Sequence, residues 1–135
     1  MAGIAWQDGA TGFLQLVGRR IEYGMWGPAP GTGTAGSPDI APTIVLLHEG
    51  LGCVALWRDF PEQLARATGC GVFAFSRPGY GQSDPKPLPW SLDYMTREAG
   101  DTLAPVLDAL AAAAVVLVGH SDGATIAAIH AGSLE

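Results

Sequence analysis

The chain has 135 residues, 48% of them hydrophobic, enough to bury the core of one modest domain and too few for a second. Thirteen acidic residues against seven basic ones give a formal charge of −6, and the basic residues are scattered, which opposes nucleic acid or anionic lipid as the main partner. The start, MAGIAWQDGA, lacks the basic and apolar regions of a signal peptide, and the longest apolar stretch, Leu110 to Val118, is far too short to cross a membrane, so a soluble cytoplasmic protein is expected.

In chain order, Phe13, Leu14, Leu16 and Val17 form one apolar run, and Ile21, Tyr23, Met25 and Trp26 form another. Gly18 and two arginines lie between them, the pattern of an antiparallel hairpin. Pro28 to Pro42 is rich in proline and glycine and nearly free of large apolar side chains, so it reads as an exposed loop within one domain. Thr43 to Leu47 is solidly apolar without alternation, as a parallel strand covered on both faces should be.

Asp59 and Glu62 make a capping-box pattern, and Phe60, Leu64 and Ala67 then recur at helical spacing before Gly69 ends the helix. Val72 to Phe75 is the next strand, followed by the turn-rich segment Ser76 to Asp84 and the proline-punctuated Pro85 to Pro89. Ser91 is placed to cap a further helix with Leu103, Val106, Leu107 and Leu110 as its apolar stripe, and Gly100 and Pro105 should kink or divide it. Val115 to Val118 is the last strand, and a small-residue helix begins at Ala124. No internal repeat is present.

Three loops carry the chemistry. Gly119-His120-Ser121-Asp122-Gly123 matches G-x-S-x-G, a strained strand-to-helix turn whose glycines let a serine oxygen stand out above a sheet. The required strand precedes it and the required helix follows. His48-Glu49-Gly50-Leu51-Gly52 follows the end of a buried strand, where a flexible backbone can aim an N–H group at a developing oxyanion. Preorganised donors of this kind contribute about 2.7–4 kcal/mol each. One donor would come from Gly50 or Leu51 and the other from the backbone of Asp122. Phosphate cradles are excluded on spacing, since the turn is not G-x-G-x-x-G and no G-K-[ST] occurs. Cys53 and Cys70 fit neither a zinc cluster nor a disulfide scaffold. Neither a metal nor a cofactor is expected.

HEGLG, RPGYGQSD and GHSDG, each after a strand and in this order, resemble the signature loops of the α/β-hydrolase superfamily. They most resemble the bacterial serine α/β-hydrolases with HG-type oxyanion loops. The resemblance runs from about Phe13 to the end. It implies a mostly parallel α/β sheet with flanking helices, Ser121 as nucleophile, and the N–H groups of Gly50 and Asp122 as oxyanion donors. Two positions depart from the pattern. Glu49 stands where that family usually has glycine, and Ser76 where aspartate often introduces the RPGYGQSD loop.

Serine needs a histidine to take its proton and a carboxylate to orient that histidine, and in this fold the order is Ser, acid, His. Fourteen residues follow Ser121, among them His130 and Glu135. His130 lies nine residues on along the same helix, about 13 Å along its axis, so it cannot reach the serine oxygen. His48 belongs to the oxyanion loop, and the His120 side chain diverges from its neighbour on a tight turn. The chain thus reads as residues 1–135 of a single hydrolase domain, truncated after the nucleophile helix and lacking the acid and histidine half. Two functions follow: a serine hydrolase of small ester, amide or related acyl substrates, impaired in this chain, or an inactive hydrolase fragment acting as a binding module. The strand before Ser121 should pair with Thr43 to Leu47 on one side and leave its other edge free for self-association.

Overall fold

In the computed structural model, which describes residues 3–31 and 37–134, the two opening apolar runs pair as an antiparallel hairpin. Strand β1 (Thr11–Leu16) and strand β2 (Arg19–Trp26) are joined by Val17 and Gly18, with Gly18 at φ 73°. The two arginines belong to β2 rather than to the turn, because two residues suffice to reverse a hairpin. The ends of the proline-rich loop are described, and its centre, residues 32–36, lies outside the described residues.

Strand β3 (Thr43–Leu47) is buried along its whole length and pairs in parallel with β4 (Val72–Phe75) and β5 (Val115–Gly119). The hairpin joins through β2, antiparallel to β4, giving a mixed five-stranded sheet in the order β1-β2-β4-β3-β5. Alternation along the strands splits the core in two. Ile44, Leu46, Val72 and Ala74 point to one face, where Leu64 and Ala65 of helix α1 (Phe60–Thr68) cover them. Val45, Leu47, Phe73 and Phe75 point to the other, against Leu103, Val106, Leu110 and Ile126.

The capping box does not form. Asp59 precedes α1 without a side-chain cap; its carboxylate accepts the Gln63 amide at 2.6 Å, and Glu62 pairs with Arg66 at 2.9 Å. Proline at the second helical position already removes one N–H that would need a cap. The buried side of α1 is Pro61 and Ala65, with Phe60 and Ala67 outward. Gly69 ends the helix in the left-handed conformation, φ 71°.

The next helical stretch starts two residues later than the Ser91 signal. Helix α2 (Tyr94–Glu98) follows Asp93, passes through a π-helical turn (Ala99–Leu103) and continues as α3 (Ala104–Leu110). Pro105, which has no N–H to donate, sits just beyond this widened turn, so the stretch is divided where the sequence placed the break. Helix α4 (Asp122–Gly132) leaves β5 directly and packs on the same face as α3. Strand β5 forms one edge of the sheet. Val116 is 46% exposed and Val118 37% exposed on the face that α1 covers elsewhere.

Candidate active site

The turn between β5 and α4 is tight enough that two of its residues must be glycine. A Cβ on Gly123 would collide with the carbonyl of Leu47 at the end of β3, and one on Gly119 with the backbone of Gly123 and Ala124. Ser121 between them carries φ 54° and ψ −117°. For a non-glycine residue this backbone costs on the order of 1–3 kcal/mol and persists because the strand and helix on either side dictate it. Ser121 is exposed, and its hydroxyl has no hydrogen-bond partner among the described residues.

The loop after β3 approaches from the neighbouring strand. Its amides differ in availability. The Leu51 N–H is taken by the carboxylate of Glu49 at 2.8 Å. The amides of Gly50 and Asp122 donate to no acceptor among the described residues. The departure at Glu49 therefore has a local reason, a side chain turned back on its own loop. Asp122 Oδ2 lies 3.0 Å from where a Cβ on Gly50 would stand, which places the residue after Ser121 against this loop.

Arg77 fixes the loop from below. Its side chain is buried and donates to the carbonyl of His48 through one terminal nitrogen and to that of Glu49 at 3.3 Å through the other. The Arg77 N–H donates to His48 Nε2 at 3.0 Å, so Nδ1 carries the imidazole proton and gives it to the Glu49 carbonyl at 2.7 Å. Burial first, then the Arg77 guanidinium, lower the His48 pKa to about 4, which keeps the ring neutral. His48 is thus a strut of the loop.

Ser76 also has a partner. Its hydroxyl donates to Glu22 Oε1 at 2.7 Å and accepts the Val54 N–H at 2.9 Å. The same Glu22 oxygen accepts the Gln82 N–H at 3.1 Å. Where aspartate often stands, serine relays to a carboxylate delivered by β2. The Asp84 carboxylate accepts the Arg20 N–H at 2.7 Å, so the whole RPGYGQSD loop is laced onto β2.

From α2, Tyr94 donates its phenol to Asp122 Oδ2 at 3.0 Å. Arg77 and Tyr94 escape sequence reading because their partners lie 29 and 28 residues away. A cavity of about 60 Å³ adjoins the loop, lined by His48, Glu49, Gly52, Leu56, Trp57 and His120. His120 is exposed. His130 lies instead in an apolar groove with Leu107, Val115, Leu117 and Leu134, and none of the three histidines bonds the Ser121 hydroxyl. Among the described residues no three His, Cys, Asp or Glu side chains converge as a metal site, and no helix is long and apolar enough to cross a membrane.

Comparison with known proteins gives the same architecture. The family model for the alpha/beta hydrolase fold matches residues 42–133. Among solved structures, Est816, described as an N-acyl homoserine lactone degrading enzyme, is 25% identical with a TM-score of 0.66 over 90% of this chain and 40% of its own. An alpha/beta hydrolase fold protein from Burkholderia ambifaria is 25% identical with a TM-score of 0.67, over 90% and 38%. A thioesterase domain from the curacin biosynthetic pathway is 26% identical with a TM-score of 0.65, over 87% and 39%. No curated protein matches. The chain spans about two fifths of the length of these solved hydrolases. It belongs to the alpha/beta hydrolase fold family.

Proposed function

We propose that the chain carries the nucleophile and oxyanion elements of a serine hydrolase acting on a small ester, amide or related acyl substrate. The observation that carries this reading is Ser121, held at φ 54° on a strand-to-helix turn with its hydroxyl unengaged. In the proposed reaction the Ser121 oxygen attacks the acyl carbon, and the carbonyl oxygen becomes an anion. The N–H groups of Gly50 and Asp122 receive that charge; both donate to no acceptor among the described residues, whereas the Leu51 N–H is occupied. The similarity to a lactone-degrading enzyme and to a thioesterase domain supports an acyl substrate.

Full activation of the serine requires a base, and none of the three histidines hydrogen-bonds the Ser121 hydroxyl: His48 is held by its two hydrogen bonds and His130 lies in the groove with Leu107, so the oxyanion donors alone leave Ser121 a residual reactivity. In this reading the histidine and its carboxylate act on Ser121 from outside the described residues. Labelling with a fluorophosphonate probe tests it: modification of the wild type that is lost in Ser121→Ala supports an activated serine.

The second reading is an inactive hydrolase fragment that binds a partner. The free edge of β5, with Val116 and Val118 uncovered, favours it. No labelling of Ser121, together with self-association through β5, supports this alternative.

A further inference from the structure

The Asp122 carboxylate stands between two elements. Its Oδ2 accepts the Tyr94 phenol at 3.0 Å, and a Cβ on Gly50 would come within 3.0 Å of the same oxygen. The carboxylate thus lies against the Gly50 residue, whose N–H donates to no acceptor among the described residues, and this amide is a competing partner, since charge-assisted hydrogen bonds are roughly twice as strong as neutral ones. Were it to turn onto the Gly50 N–H, it would fill the place of a substrate oxyanion with a resident negative charge. Two like charges so close in a partly buried site repel each other, which opposes the reaction there.

The donor that holds this carboxylate is itself firmly placed. Tyr94 packs on Trp90 at 5.5 Å between ring centres, Trp90 on Tyr80 at 5.9 Å, and Tyr80 edge-on against His48 at 4.9 Å. Lys86 Nζ lies 4.8 Å over the Trp90 ring and 5.9 Å over that of Tyr94, and pairs with Glu98 Oε1 at 2.8 Å. The side chains of this ion pair are only 15% and 7% exposed. A five-residue helix is thereby locked in place, and with it the phenol. The hydrogen bond to Asp122 raises the Tyr94 pKa, so the phenol remains a donor.

We propose that Tyr94 is a positioning residue of the Ser121 site: it holds the Asp122 carboxylate off the Gly50 N–H and so keeps the oxyanion position open. This rests on the reading of Gly50 and Asp122 as oxyanion donors. The Asp122 charge acts on His48 and Tyr94, and the other charged or titratable groups around those two are Glu49 from the loop after β3, and Arg77 and Tyr80 from the loop after β4. Among the described residues only Tyr94 hydrogen-bonds it.

The test compares the full chain with Tyr94→Phe and Tyr94→Phe/Asp122→Ala, each labelled with nitrogen-15. In Tyr94→Phe the Gly50 amide proton resonance moves downfield, as a new bond to a carboxylate requires, and in the double variant it returns to the wild-type position. Phosphonylation of Ser121 by a fluorophosphonate slows about a hundredfold in the single variant, the effect of losing one oxyanion donor, and recovers in the double variant. A Gly50 resonance unmoved in Tyr94→Phe, or phosphonylation equally impaired in both variants, overturns the proposal. If wild type itself is not phosphonylated, the hydrolase reading fails, and the Gly50 resonance still decides what Tyr94 holds.

Discussion

The α-carbon of Gly123 sits so close to the carbonyl of Leu47 that no other residue fits between β3 and the start of α4. This contact ties the Ser121 turn to the strand that carries the Gly50 loop. Gly123→Ala should therefore destabilise the chain by about 1–3 kcal/mol, the usual cost of forcing atoms into a packed site. Gly132, at the far end of α4, meets nothing within 4 Å, and Gly132→Ala should leave stability unchanged or raise it by up to about 1 kcal/mol. Urea unfolding of the two variants measures the difference.

His48 makes stability depend on pH in a defined direction. Its pKa is about 4 in the folded chain against 6.5 ordinarily, so between these values the unfolded chain binds the extra proton. The stabilisation is complete above about pH 6.5 and is lost as the pH falls toward 4, in total about 3 kcal/mol. Replacing His48 by Gln removes this component. Unfolding curves at pH 7 and pH 4.5 should then differ less for His48→Gln than for wild type.

Arg77 should resist even its closest substitute. It reaches two carbonyls with a rigid fork while its own N–H binds His48. Lysine carries one compact charge and cannot span both carbonyls. Arg77→Lys is expected to lower stability by about 2 kcal/mol, because a buried cation loses part of its hydrogen bonding, and to broaden the Gly50 and Leu51 amide resonances.

The β5 edge gives a prediction for assembly. Val116 and Val118 are uncovered on a strand with one unpaired side, a template for another chain. Self-association at micromolar concentration is expected, and Val116→Lys with Val118→Lys should reduce it. Val17→Lys, an equally apolar exposed site on the hairpin turn, should not. Light scattering during size exclusion distinguishes the three proteins.

Strands β3 and β4 are legible in the sequence because buried parallel strands leave an unbroken apolar run, β5 because its run is equally apolar although it lies at the sheet edge, and the Ser121 turn because glycines at both flanks admit few other conformations. The Asp59 and Ser91 caps are misleading, since short polar side chains near a helix start have several local partners. Asp59 takes Gln63 and the α2 start moves to Asp93. The division of the helix before Pro105 follows from a single missing N–H and is readable. The supports of the site are not. Glu22 reaching Ser76, Arg77 reaching His48 and Tyr94 reaching Asp122 join residues far apart in the chain, and no spacing rule encodes which of many polar residues the sheet order will bring together.

Whether the turn makes Ser121 a nucleophile is measured most directly by covalent labelling. Pure chain is incubated with a fluorophosphonate probe and digested, and the modified peptide is identified by mass spectrometry. Modification at Ser121, absent from Ser121→Ala and from unfolded wild type, is the expected result. A folded wild-type chain that remains unmodified at Ser121, or that is modified equally after unfolding, would contradict it.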